Sequence, residues 1–253
     1  FNGKSSAQIL KEAHQLVENE LLPLMQEFHN SISDHFFIAA KETFDMAKQN
    51  ALFESLSVLE HDKNKITKAF TDSYVKKIRA YSPSNVLHEE EAEEEKEISL
   101  ETLSLVESDD LDNWLSISSI ITNVDADNRD VLSQIERRAT ALYQAKINKK
   151  NNPFGPALFA QAFQDSLEDI EIKHAVKLVC YTAFRDVYMA IAADLYDRIN
   201  NFFIDNDVLP KLKFKVERST GGASHGLSSE TGDDEQENEE DIPEQDYGDI
   251  PPA

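Results

Sequence analysis

EIKHAVKLVCYTAFRDVYMAIAADLYDRINNFFID, residues 171–205, is the stretch that decides the fold class. Ile172, Ala175, Val176, Val179, Ala183, Val187, Ala190, Ile191, Leu195, Ile199 and Phe202 step by three and four, the spacing that gathers side chains onto one face of an α-helix. The run contains neither glycine nor proline. Unbroken, it makes a helix about 50 Å long at roughly 1.5 Å per residue. An apolar stripe of that length needs other helices to bury it.

The rest of the chain supplies them. Residues 6–29 align Ile9, Ala13, Leu16, Val17, Leu21, Leu24 and Phe28, with Pro23 marking a kink. Residues 31–48 continue through Ile32, Phe36, Ala39, Ala40 and Phe44, and residues 50–80 place Phe53, Leu56, Leu59, Ile66, Phe70, Tyr74 and Ile78 on one stripe. SDDLDNWLSISSIITNV (108–124) opens with three aspartates, the charge a helix N-terminus favours, and residues 125–146 follow with Val131, Ile135, Leu142 and Tyr143. The expected class is all-α, a multi-helix bundle with long antiparallel helices.

Between Lys4 and Thr220 the chain has a single glycine, inside NNPFGPALFAQAF (151–163). Lys149 to Asn152 end the preceding helix, and Pro153 prevents its continuation. Gly155 is expected to turn the chain with φ > 0. Pro156 suits the first helical position, where a missing N–H is harmless. Phe159, Phe163 and Leu167 then continue a new stripe. Pro153, Gly155 and Pro156 therefore read as a structural turn.

The formal net charge of −23 is unevenly placed. His88–Asp112 holds twelve acidic residues and one lysine, and Glu217–Ala253 holds twelve acidic residues and one arginine. That leaves 24 acidic and 23 basic residues elsewhere. A nearly neutral body argues against nucleic-acid binding, which needs a net basic face, and against a general attraction to anionic membranes. The longest apolar run, VYMAIAA (187–193), is far shorter than the ~18 residues of a membrane span. One cysteine, Cys180, allows no internal disulfide, so a cytoplasmic location is expected. The start, FNGKSSAQIL, reads as a portion of a longer chain. The expected division is a helical segment at 1–81, an acidic low-complexity linker at 82–107, a second helical segment with the long C-terminal helix at 108–216, and a disordered acidic tail at 217–253.

NPFGPALFAQAFQDSL (152–167), followed by the long helix with Leu195, Tyr196 and Asn200 and then Val208-Leu209-Pro210, resembles a proteobacterial family of unknown function, family 1631. LSLVESDDLDNWLSISSII (103–121) and AKQNALFESLSVLEHDK (47–63) are similar to its other segments. The resemblance runs from about residue 20 to 215 and implies a longer parent chain, but no active-site residues. Members often carry the automatic label of a thymidine phosphorylase. The residues here argue against it, because phosphate cradles use glycine-rich turns and Pro153 and Pro156 offer no N–H.

Other chemistry is weakly signalled. Glu171 and His174 form one Glu-x-x-His pair, where a di-iron bundle needs two and two further glutamates. Asp34-His35 and Glu60-His61 are sequence neighbours that diverge on a helix. Cys180 reads as a packing thiol, and His225, Ser228 and Ser229 fall in the acidic tail. No cofactor and no metal is expected. Trp114 reads first as core and second as an anchor for a partner. LPKLKFKVERS (209–219) alternates Leu212, Phe214 and Val216 with Lys211, Lys213 and Lys215, an extended pattern suited to β-addition. The expected function is a non-enzymatic scaffold or regulatory module that binds another protein, with homo-oligomerisation left open. The alternative is ligand sensing in nucleotide second-messenger signalling, with Arg137, Arg138 and Arg185 as phosphate partners.

Overall fold

The computed structural model describes residues 3–82 and 108–212. These form six α-helices and no strand: α1 (Ser6–Glu42), α2 (Met46–Ala80), α3 (Ser108–Asp127), α4 (Arg129–Tyr143), α5 (Pro156–Ser166) and α6 (His174–Asp205). The chain is all-α. The acidic segment from 83 to 107, and Lys213, Phe214, Lys215 and the tail beyond them, lie outside the described residues.

α1 starts in a capping box. The Gln8 N–H donates to Ser5 Oγ (3.3 Å), and the Ser5 N–H donates to Gln8 Oε1 (2.9 Å). The helix continues past Pro23 and joins the stretches 6–29 and 31–42 into one element. It stops because Asp45 is a better N-cap than a helix interior residue. Its carboxylate accepts the N–H groups of Ala47 (2.9 Å) and Lys48 (3.3 Å), opening α2. Gln49 closes the corner by donating to the carbonyls of Ala40 (3.0 Å) and Thr43 (2.8 Å), two acceptors that the end of α1 leaves free. The expected continuation of helix to residue 48 is therefore corrected: Thr43, Phe44 and Asp45 are a turn.

α1 and α6 lie antiparallel. Glu20 pairs with Arg198 (2.6 Å), and further along α1 His35 meets Asp186 (3.1 Å) earlier in α6. α2 packs on α1 and α5, while α3 and α4 cover other faces of α6. The core between them is aromatic. Phe163 of α5 stacks on Phe184 of α6 at 4.0 Å between centroids, with Phe28 of α1 and Phe70 of α2 edge-on. On α6 the buried face runs through Cys180, Phe184, Tyr188, Leu195, Tyr196, Ile199 and Phe203 rather than through Val179, Ala190 and Ile191. The larger rings claim the interior because they bury more apolar area per residue.

The Asn-Pro turn also departs from expectation. α4 ends at Tyr143, and the left-handed residue that ends it is Gln144 (φ 55°). Gly155 is extended (φ −79°) and is the N-cap of α5, with Pro156 in the first turn. Glycine is needed there for space. A Cβ at this position would meet Asn152 O at 3.1 Å and Asn152 Cβ at 3.2 Å.

Candidate functional site

At one end of the bundle the C-terminus of α1 meets the N-termini of α2, α3 and α6. The α1–α2 turn places α2 there, and the antiparallel pairing places the start of α6 there. His174, the first residue of α6, sits 3.4 Å from Asp112 and 3.8 Å from Asp109, which brings in the start of α3. Ten large apolar residues are exposed among the described residues, and eight lie at this end: Phe37, Ile38, Phe44, Met46 and Phe53 on α1, α2 and their turn, and Leu111, Trp114 and Leu115 on α3. Phe44 is wholly exposed and Trp114 is 63% exposed. Scattered exposed apolar residues are ordinary, whereas a concentration of this kind at one end is not.

The surface is grooved. A hollow of ≈ 370 Å³ lies between the α1–α2 corner and the start of α6, lined by Ala39, Ala47, Ala51, Leu52, Ala175 and Val176 with Lys48 and Lys173 beside them. A second, of ≈ 240 Å³, shares Ala39 and Val179 with the first and extends toward His35 and Thr182. Across α6 a third, of ≈ 210 Å³, lies between Leu115 and Ile120 of α3 and Tyr181 and Arg185 of α6. Lys41 Nζ sits 4.2 Å from the centroid of the exposed Phe37 ring, a cation–π contact.

Trp114 is a correction. It was expected in the core, but the buried side of α3 is Ile117, Ile120 and Val124, and the indole faces out at the first turns of the helix. Lys211 is exposed at the far end of the molecule, beyond α6, away from this surface. Phe53, expected on the buried stripe of α2, is half exposed, because Leu52, Ser55 and Leu59 set the register of its first turns. The surface residues that sequence reasoning missed are Phe37, Ile38, Phe44 and Met46. A signal existed: Thr43-Phe44-Asp45-Met46 puts two large apolar residues beside an Asp N-cap, where a solvated turn needs neither.

The other nominated groups are accounted for inside the fold. Arg138 is buried and donates through Nε to Val208 O (3.1 Å) and through Nη1 to Asn200 Oδ1 (2.8 Å). Arg185 pairs with Asp186 (2.8 Å), and Arg137 is not without a partner either. Cys180 is fully buried, and burial pushes its thiol well above the ordinary range, which disables a thiolate. His35 is held by Ser31 O and Asp186, while His61 is exposed. Among the described residues no group of three His, Cys, Asp or Glu side chains could hold a metal ion. A hollow of ≈ 600 Å³ near the α3–α4 junction is lined by Asp127, Asp130 and Asp197, but they do not converge as ligands. No helix among the described residues is long and apolar enough to cross a membrane.

The opposite end is closed. Residues 151–156 are all buried. Asn152 Oδ1 accepts the Phe154 N–H (3.0 Å), Asn151 Nδ2 donates to Lys146 O (3.0 Å), and the Tyr81 hydroxyl donates to Asn151 O (2.5 Å). Phe154 packs between His14 (5.2 Å) and Phe203 (5.4 Å). Burial holds the His14 imidazole down to about 4, and its Nε2 meets the Tyr143 hydroxyl at 3.1 Å. Of the residues that carry the family resemblance, Asn152 to Pro156, Leu195, Tyr196, Asn200 and Val208 are interior and hold the fold, while Leu209 and Pro210 are exposed. In comparison with known proteins, the model of a family described as a protein of unknown function (DUF1631), N-terminal domain, matches residues 5–207. No curated protein and no solved structure matches.

Proposed function

We propose that this chain, which belongs to the DUF1631 family and carries its N-terminal domain, is a helical docking module that binds another protein and performs no chemistry of its own. The observation that carries the proposal is the gathering of Phe37, Ile38, Phe44, Met46, Leu111, Trp114 and Leu115 at the end where four helix termini meet. Covering side chains of that size contributes about 1.5–3 kcal/mol each, so a few such anchors would dominate the binding energy of a complex. The cationic groups that a phosphate sensor would use are instead tied up, Arg138 in the core and Arg185 with Asp186.

The test is retention of a partner from lysate of the cells that make the protein, compared between the native chain and the Phe44→Ala and Trp114→Ala variants. A stoichiometric protein held by the native chain and lost by both variants supports docking at this end. Equal retention by all three places any docking elsewhere. A native chain that holds no protein but is thermally stabilised by a nucleotide replaces docking with sensing.

A further inference from the structure

We infer that the groove between the α1–α2 corner and the start of α6 receives an amphipathic helix of another protein whose apolar face is bordered by acidic residues. The inference rests on the docking reading above and names the chemistry of the partner.

The shape argues for a helix. The two hollows joined at Ala39 and Val179 run along α6 from Lys173 to Thr182. That is a trough of about 14 Å, or two and a half helical turns. Its walls carry alanines from three helices, Ala39, Ala47, Ala51 and Ala175, which let an incoming helix come close. α1, α2 and α6 satisfy their own backbones and present no sheet edge, so strand addition has nothing to pair with here.

The charge argues for acid. Lys48 and Lys173 flank the ≈ 370 Å³ hollow, both exposed, and neither forms an ion pair among the described residues. Among the described residues no carboxylate lines this hollow itself; Glu42 lines the smaller hollow that continues the trough, and Asp45 keeps its charge at the corner while it caps α2. Carboxylates beside the partner's apolar face meet these two lysines at short range, which orients the helix in the groove.

Two helical peptides of four turns test this. They share one leucine-rich face, and one has glutamates along its borders where the other has lysines. Binding to the full chain is followed by fluorescence anisotropy. The expected result is that the glutamate peptide binds at least about tenfold more tightly, that raised salt narrows the gap, and that Lys48→Glu with Lys173→Glu reverses the order. Ala175→Glu, an exposed wall position, should abolish binding of the glutamate peptide, with circular dichroism confirming the fold. Equal binding of the two peptides, or binding unaffected by Ala175→Glu, overturns the inference. So does binding that emerges only after residues 97–107 are replaced by a Gly-Ser stretch, which makes the chain's own acidic and apolar segment the occupant. A dimer in sedimentation velocity that Ala175→Glu dissociates makes a second copy the occupant and also overturns it. If neither peptide binds while a cellular partner is still lost on Trp114→Ala, docking at this end stands and only the acidic-helix inference falls.

Discussion

The two ends of the bundle are made from the same helices and finished in opposite ways. At one end the Asn151–Pro156 turn folds inward, spends Asn151 Nδ2 and Asn152 Oδ1 on nearby backbone, and seats Phe154 between His14 and Phe203. At the other, the Thr43–Asp45 turn satisfies its polar groups through Asp45 and Gln49, yet sends Phe44 wholly into solvent. Hydrogen bonding does not explain the difference, since it is the closed turn that leaves a buried amide, Asn152 Nδ2, without a partner among the described residues. Apolar coverage does. The lesson is that a helical end can be complete as a fold while remaining incomplete as a surface.

The sharpest way to break this comparison is to delete one phenylalanine from each end. Phe154→Ala should destabilise the protein by about 3–5 kcal/mol, since its ring is fully enclosed. Equilibrium unfolding in urea measures it, and a loss below 1 kcal/mol would mean the closed end is not packed as described.

Acid should attack the closed end next. His14 is held at about 4 by burial, against an ordinary 6.5. The unfolded chain therefore takes up the proton first, and stability falls as pH drops from 6.5 toward 4, with no change from this group above 6.5. The full effect is about 3 kcal/mol, and His29, also lowered by burial, acts in the same direction. In His14→Gln the pH dependence of the urea midpoint should flatten over that window; an unchanged slope would remove His14 as its source.

A smaller perturbation probes the turn itself. Gly155→Ala places a methyl 3.1 Å from Asn152 O, so the turn must shift, at a cost of about 1 kcal/mol. The backbone there is extended, so no left-handed strain contributes. If thermal unfolding instead shows stabilisation, the loss of unfolded-chain entropy has outweighed crowding, and the turn is looser than its distances state.

Much of the helical architecture was legible because burial leaves a periodic mark. Ile9, Ala13, Val17, Leu21, Leu24, Phe28, Ile32 and Phe36 are the buried stripe of α1 as spaced in the sequence. Two kinds of feature were not. Helix ends are decided by single capping groups, so Asp45 broke a periodic pattern that ran on to residue 48, and Gln144 ended α4 before the lysines and asparagines that seemed to do so. Surface residues are the other kind, because an exposed Phe37 or Trp114 has the same spacing from its neighbours as a buried one. Only the position of α6 decides which side faces the core. The resemblance to a family pointed to Asn152, Gly155 and Asn200, which explain the closed end, and its segments 47–63 and 103–121 also take in Phe53, Leu111, Trp114 and Leu115 of the open one, without marking them as exposed.

The last comparison reverses the first in size and carries the functional argument. Phe44→Ala and Trp114→Ala remove large aromatic side chains, yet each should change stability by no more than about 0.5 kcal/mol, because neither ring is enclosed in the free protein. Thermal unfolding measures this directly. A substantial loss at either position would show that the ring packs within the chain and that the surface around it is already covered. No loss, combined with release of a bound partner, would separate binding from folding at the same residue. The enclosed Phe154 cannot make that separation, since any variant there that lost a partner would also have lost part of its fold.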